Sequence, residues 1–377
     1  MLFRSIFFHA YAQNRTVPFC DHFGICGGCK WQMLPYEDQL KYKDREVAAH
    51  LRRIGKIDLP EPLSIAGAAA TRYYRNKLEF TFSNRRYLTQ EEMELFKKTE
   101  TENEAFPNEP AFGFHVPGYF DKVVNIESCH LQPEPSNAIR NFVRQYALNN
   151  HLSFYNLRAH EGWLRTMIVR TSTLGEVMVN LVLGYDAPEE RNKLLSAIQD
   201  AFPEITTLLF TINPKKNDSI HDLEPRIFWG SGYISEKLEN FTNKIGPKSF
   251  FQTNTRQAEK LYSITREFAA LAGTETLYDL YCGTGSIGIF CSAKAKKIIG
   301  VEVIEEAILD ARINASINQV KDAHFFAGDV IDICTDDFFA QHGRPDVIIT
   351  DPPRAGMHTA LVQKLLEMER SEEHTSE

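Results

Sequence analysis

Residues Thr276–Gly288 read Thr-Leu-Tyr-Asp-Leu-Tyr-Cys-Gly-Thr-Gly-Ser-Ile-Gly. A short apolar run ends in a glycine-rich turn, and an apolar helical pattern follows. Strand, tight loop, helix is the first unit of a doubly wound α/β domain, whose ligand sits at the strand's carboxyl end. Gly283, Gly285 and Gly288 match G-x-G-x-x-G, a spacing shared by many nucleotide folds. Asp279, just upstream, narrows the choice. A pyrophosphate wants backbone N–H groups and a helix N-terminus, not a carboxylate beside it. A ligand carrying an ammonium and a sulfonium wants that carboxylate, so the loop is expected to take S-adenosylmethionine rather than NAD.

Working outward, Lys297–Val303 reads as the second strand, and Glu302 falls 23 residues after Asp279. An acid there can accept both ribose hydroxyls. Ile304, Ile308, Ala311 and Ala315 predict the buried stripe of the next helix. His324–Val330 is a third strand ending in Gly328-Asp329. Asp346–Asp351 is a fourth, running into Asp-Pro-Pro-Arg-Ala-Gly at 351–356. Four strand–helix steps with an acid at each strand end predict a Rossmann-like methyltransferase domain over residues 246–370. Upstream, Ser-Phe-Phe-Gln-Thr-Asn at 249–254 leads into a helix whose Leu261, Ile264, Phe268 and Leu271 read as a core stripe.

The other end of the chain carries different chemistry. Cys20, Cys26 and Cys29 are spaced C-x5-C-x2-C, with Gly24, Gly27 and Gly28 letting the backbone curl around what the sulfurs hold. A fourth cysteine, Cys129, lies far downstream. Three clustered thiolates plus a distant one suit a cubane [4Fe-4S] cluster. A structural zinc with Cys129 or His130 as fourth ligand is the plainer alternative. A helix is expected over Gln39–Ile54, and Pro60–Pro62 mark a boundary, so residues 1–60 form the cysteine-rich segment.

Residues 61–245 read as a mixed α+β domain, expected to bind RNA. Thr71–Tyr87 carries five basic residues against one acid, interleaved with five aromatics. Such a stretch can pair phosphates and stack on unpaired bases, or it can be a β-hairpin with a solvated basic face. Residues 89–110, with seven glutamates and two lysines, read as a solvent loop. Helices are expected at 135–150 and 188–202, a hairpin around Gly175, and a strand at 205–213.

Composition bounds the rest. The chain has 377 residues, 43% hydrophobic and 24% charged, with a formal net charge of −8. Any nucleic-acid surface must therefore be local. No apolar run is long enough for a membrane span. Met1–Ala12 reads as a loose end without a signal-peptide core. A reducing cytoplasm is the expected compartment, where clustered cysteines favour metal or catalysis over disulfides.

The motifs at 250–254, 279–285 and 351–356, with the four cysteines, resemble those of the RNA uracil-5-methyltransferase family. The cysteine pattern is similar to the branch that acts on 23S ribosomal RNA and holds a [4Fe-4S] cluster; the transfer-RNA branch typically lacks it. The resemblance runs from about Pro18 to Glu369. It implies cofactor contacts from Gln252, Tyr281, Glu302 and Asp351, with Ser286 and Asp329 at positions where other members often carry polar side chains. It implies Cys20, Cys26, Cys29 and Cys129 as cluster ligands and 23S ribosomal RNA as the partner; a monomer is expected, with nothing in the sequence fixing the oligomeric state.

In this family a cysteine thiolate adds to uracil C6, which makes C5 nucleophilic enough to take a methyl group. A glutamate later removes the C5 proton. Both groups belong to segments expected beyond the helix at 358–369, where this chain reads Arg-Ser-Glu-Glu-His-Thr-Ser-Glu. The expectation is a chain with the cofactor and cluster sites but without a catalytic residue, inactive alone, with 371–377 a non-native tail. Cys282, Cys291 and Cys334 are expected to be structural. Three other readings compete: a cluster-containing RNA-binding module without catalysis, a tRNA uridine-5 methyltransferase, and adenine amino methylation, against which Arg354 argues.

Overall fold

The computed structural model describes residues 11–99, 109–354 and 356–369. A cysteine-bearing loop leads into α1 (Tyr36–Arg53), with Glu37 and Asp38 in its first turn and Arg52 and Arg53 in its last. These charges match the two ends of the helix dipole. β1 (Lys77–Ser83) buries Leu78, Phe80 and Phe82 at alternate positions, as a strand with one face on a core must. Then come α2 (Gln90–Thr99), β2 (Ala111–His115), β3 (Val123–Asn125), α3 (Ser136–Asn149) and β4 (Leu164–Thr171). β5 (Val177–Leu183), α4 (Pro188–Ala201), β6 (Ile205–Ile212) and β7 (Arg226–Gly230) complete this half.

Among the described residues these strands form one sheet, in the order β3-β2-β1-β4-β5-β6-β7. Neighbours are antiparallel except β5 and β6, for which α4 supplies the crossover that a parallel pair needs. Ile139 and Val143 of α3, with Leu194 and Ile198 of α4, pack on Phe80, Met167, Val179 and Leu208. The turn between β4 and β5 contains Gly175 at φ +82°, as its sequence suggested.

A two-stranded hairpin follows, β8 (Ile234–Leu238) and β9 (Phe241–Ile245). Then α5 (Thr255–Ala269) leads into β10 (Thr276–Leu280), α6 (Ser286–Cys291), β11 (Lys297–Glu302), α7 (Glu305–Ile317) and β12 (Ala323–Ala327). The described chain closes with α8 (Val330–Ile333), α9 (Asp336–His342), β13 (Val347–Thr350) and α10 (Thr359–Glu369). β12-β11-β10-β13 form an all-parallel sheet. Leu277 to Leu280 are all buried, the continuous burial of a parallel strand covered on both faces. The chain builds outward from β10 to β12, then returns to lay β13 on β10's other side. That reversal opens a crevice at the carboxyl ends of β10 and β13.

The two sheets meet along a polar seam. Asn76, just before β1, donates from its backbone to Thr253 O (2.8 Å) and from Nδ2 to Gln252 O (2.9 Å) and Thr255 Oγ1 (3.0 Å). Glu236 of β8, buried, accepts from Thr173 N and Oγ1 and from Thr255 Oγ1. Arg170 at the end of β4 donates to Ser249 O at 2.6 Å.

Several expectations change. Residues 90–99 are helical, not a loop. Thr89 and Glu92 form a reciprocal capping box, Glu92 N to Thr89 Oγ1 and Thr89 N to Glu92 Oε2, which satisfies two end donors at once. The stretch 100–108 lies outside the described residues, as do 370–377 and most of Met1–Ala12. The strands β7, β8 and β9 were not anticipated. Of the stripe expected on α5, Leu271 just past its end is buried and Ile264 half-buried, but Leu261 is 49% and Phe268 73% exposed, while Thr255, Ala258 and Tyr262 face inward. Packing of Tyr262 against Phe290 sets the rotation of the helix. On α7, Ile308, Ala311 and Ala315 are buried as expected, but Ile304 is exposed. No helix among the described residues is long and apolar enough to cross a membrane.

Candidate functional site

The crevice begins where β10 ends. Tyr281, Gly283 and Gly285 all have left-handed backbones, at φ +62°, +52° and +75°. For tyrosine that conformation costs about 1–2 kcal/mol, a strain of the kind that collects at functional sites. A Cβ on Gly285 would lie 2.9 Å from the Phe325 ring, whereas one on Gly283 would meet nothing within 4 Å. Gly285 is therefore needed for close packing and Gly283 borders open space. Asn314 Nδ2 of α7 donates to Thr284 O at 3.1 Å and holds the loop from behind.

Asp279 does not do what its place in the sequence suggested. It is fully buried, and its Oδ2 accepts from Gly288 N at 2.8 Å, pinning the first turn of α6. Its Oδ1 has no partner among the described residues. Burial pushes its carboxyl up to about 7; the Gly288 bond opposes that shift, and the charges of Asp351 and Glu302 add to it. It faces the helix rather than the crevice.

The other expected cofactor contacts gather at the strand ends. Glu302, half-buried at the end of β11, accepts from Gly283 N and from Ile304 N, each at 3.1 Å. Asp329 caps α8, accepting from Ile331 N at 2.9 Å. Gln252 Nε2 reaches Asp351 Oδ2 at 3.5 Å, bringing together residues 99 positions apart. Ser286 Oγ shares a hydrogen bond with Tyr262 Oη at 3.1 Å. The Tyr281 phenol is raised, by burial first and then by the charges of Asp329 and Glu302. The result is an acidic rim of Glu302, Asp329 and Asp351 around a tyrosine and an amide, suited to a cationic ligand with a diol. Tyr262 and Asn314 were missed; each acts through a partner distant in the chain.

Three cysteines lie near this crevice, and all are buried. Burial raises the Cys282 thiol well above its usual range, Cys291 to about 12 and Cys334 to about 11. None is poised as a thiolate at neutral pH.

Cys20, Cys26, Cys29 and Cys129 line one shared cavity with His22, His130 and Gln32. Gly27 N donates to His115 O at 3.1 Å, and a Cβ there would come within 2.7 Å of that oxygen, so the loop docks tightly on β2. Gln32 Oε1 accepts from Cys20 N and Asn137 Oδ1 from Cys129 N. Burial raises the Cys26 thiol to about 11. Among the described residues, however, no group of three or more histidine, cysteine or carboxylate side chains is set to hold a metal ion. The expected ligands thus share a cavity without converging on one point.

The basic stretch at 71–87 is largely committed to the fold. Phe80 and Phe82 are buried and cannot stack on a base. Arg85 pairs with Asp121, Arg86 with Glu92 and Glu109, and Lys77 with Glu79. The hairpin-like reading describes this segment better than a free RNA-binding strip.

Comparison with known proteins follows the same lines. The methyltransferase small domain family matches residues 265–372. An uncharacterized RNA methyltransferase of Bacteroides thetaiotaomicron is 53% identical over 365 residues, covering 96% of this chain and 79% of that protein. One from Porphyromonas gingivalis is 49% identical, covering 93% and 75%. Among solved structures, the tRNA (uracil-54, C5)-methyltransferase of Pyrococcus abyssi, in complex with S-adenosyl-L-homocysteine, aligns at a TM-score of 0.68. It is 26% identical, covering 92% of this chain and 74% of that one. With a parallel methyltransferase sheet and relatives this close over nearly its whole length, the chain belongs to the RNA methyltransferases.

Proposed function

We propose that the protein uses S-adenosylmethionine to methylate C5 of a uridine in 23S ribosomal RNA. The observation that carries this reading is the acidic rim: Glu302 and Asp329 beside the left-handed Tyr281, and Asp351 against Gln252. Glu302 would take the ribose hydroxyls. Gln252 and Asp351 would face the cationic end, while Tyr281, Ser286 and Asp329 line the nucleoside side. The bound cofactor supplies an electrophilic methyl group. The acceptor must be activated by a thiolate at C6 and unstacked to reach the crevice. Buried as they are, Cys282, Cys291 and Cys334 are not assigned that role, and the reading gives the described residues no nucleophile.

The same reading assigns a [4Fe-4S] cluster to Cys20, Cys26, Cys29 and Cys129, a proposal supported by the one cavity that all four line. In this reading residues 1–60 carry the cluster segment, 61–245 bind RNA and 246–370 hold the cofactor. A second reading, a transfer-RNA acceptor, is favoured by the likeness to the Pyrococcus abyssi enzyme.

The test is cofactor binding by calorimetry alongside tritium release from uridine labelled at C5, in 23S and transfer-RNA transcripts, under anaerobic conditions. Binding with release from the 23S transcript alone supports the first reading. Release from the transfer RNA alone moves the assignment to the second. Binding without release from either agrees with a nucleophile outside the described residues. Absence of binding refutes the cofactor assignment.

A further inference from the structure

Arg140, on the inward side of α3, is fully buried, and every hydrogen-bond partner it has is neutral. Nε donates to Ile126 O (2.9 Å), Nη2 to Glu127 O (2.8 Å) and Asn141 Oδ1 (3.2 Å), and Nη1 to Asn137 Oδ1 (2.9 Å). Its guanidinium carbon stands 5.1 Å from the centre of the Phe80 ring. Arg165, equally buried, has Asp218 at 2.7 Å, but no ion pair of Arg140 is found among the described residues. A buried charge without a counter-ion is costly, so an anion nearby is the expected companion.

The cysteine cavity is next to it. Ile126, whose carbonyl Arg140 holds, lines that cavity with Cys129. Asn137 Oδ1 accepts from both Cys129 N and Arg140 Nη1. The charges acting on the guanidinium are the Cys129 thiol, then Glu134, with Arg144 opposing, and burial lowers it to about 10. Glu134 is itself engaged with Asn137 Nδ2 and Ala138 N.

We propose that Arg140 is the internal counter-cation of an anionic centre held by Cys20, Cys26, Cys29 and Cys129. The inference rests on reading that cavity as a [4Fe-4S] site. An oxidised cubane on four thiolates is a dianion, and one electron from dithionite makes it a trianion. A fixed cation favours both states, and the more negative one more. Arg140 also ties Ile126 and Glu127 to α3, so its charge must be separated from its function as a tie.

The experiment compares the wild type with Arg140→Gln and Arg140→Lys, reconstituted anaerobically with iron and sulfide. Cluster midpoint is followed by paramagnetic resonance during dithionite titration, and cluster loss by absorbance under chelator. The expected result is a midpoint shifted to more negative potential and at least about tenfold faster loss for Arg140→Gln. Arg140→Lys, which keeps the charge and loses the fork geometry, stays near the wild type. Equal behaviour of the two variants, including failure of both to hold a cluster, would reduce Arg140 to a tie and overturn the proposal. An unchanged midpoint in Arg140→Gln would overturn it as well. A wild type that binds no iron and sulfide would instead refute the cluster reading itself.

Discussion

Gly283 and Gly285 sit two residues apart in one loop, yet alanine at the two positions should fail in different ways. Both glycines are left-handed, so either substitution carries about 1–2 kcal/mol of backbone strain. At Gly285 the new Cβ also meets Phe325 at 2.9 Å and Ala311 Cβ at 3.1 Å. Those neighbours lie in a core with Ile289 and Ile308, where overpacking adds about 1–3 kcal/mol. Gly285→Ala should therefore lose about 2–5 kcal/mol of stability in urea titrations. Gly283→Ala should lose only the strain component, because its Cβ points into free space. That space is where the cofactor is proposed to lie, so Gly283→Ala should weaken S-adenosylmethionine binding about tenfold or more in calorimetry. If the two variants lose equal stability, the packing account of Gly285 is wrong. If Gly283→Ala binds cofactor like the wild type, the loop does not face the ligand as argued.

Other expectations can be checked the same way. Glu302→Gln keeps a carbonyl for Gly283 N but loses the charge and the acceptor for Ile304 N, which is exposed and turns to water; cofactor affinity should fall about tenfold with about 1 kcal/mol change in stability, by calorimetry and urea melts. Asp279, raised to about 7 when folded against about 4 unfolded, makes a contribution that is fully present below about pH 4 and is lost as pH rises through about 7. Asp279→Asn should flatten that part of the stability–pH profile, and an unchanged profile would contradict a buried, protonated carboxyl. Glu236→Ala strips the acceptor from Thr173 N, Thr173 Oγ1 and Thr255 Oγ1. Thr255 is buried, so its hydroxyl left unpaired costs about 1–3 kcal/mol, while exposed Thr173 turns to water; thermal and urea melts should show a loss of about 1–3 kcal/mol.

The parallel sheet was legible because its central strands β10 and β11 are buried apolar runs without polar alternation, and β11, β12 and β13 end at or lead into Glu302, Gly328 and Asp351. The hairpin of β8 and β9 was not: its five-residue strands carry Glu236 and Asn243 inward, so a polar residue faces the core where pattern reading expects an apolar one. The helix at 90–99 was hidden by its acidic composition, although Thr89 and Glu92 stand at capping-box spacing. On α5, small Ala258 and Thr255 mark the packed side, while larger Leu261 and Phe268 point out. Within the site, the strand-end acids could be read in order, but the direction of Asp279 could not. A parallel strand buried on both faces gives no parity by which to tell crevice from helix. The seam from Asn76 to Gln252 spans 176 positions, and no local pattern encodes a contact of that range.

That seam bears on how the molecule can move. Asn76 grips the carbonyls of both Gln252 and Thr253, and Thr171 N in turn donates to Asn76 O at 2.9 Å. The loop that carries Gln252 is thus stitched to two strands of the antiparallel sheet. A hinge opening along this line would have to break buried bonds, each worth about 1 kcal/mol in net terms and more if left unpaired. The two halves therefore behave as the fixed jaws of a vise rather than the shells of a clam.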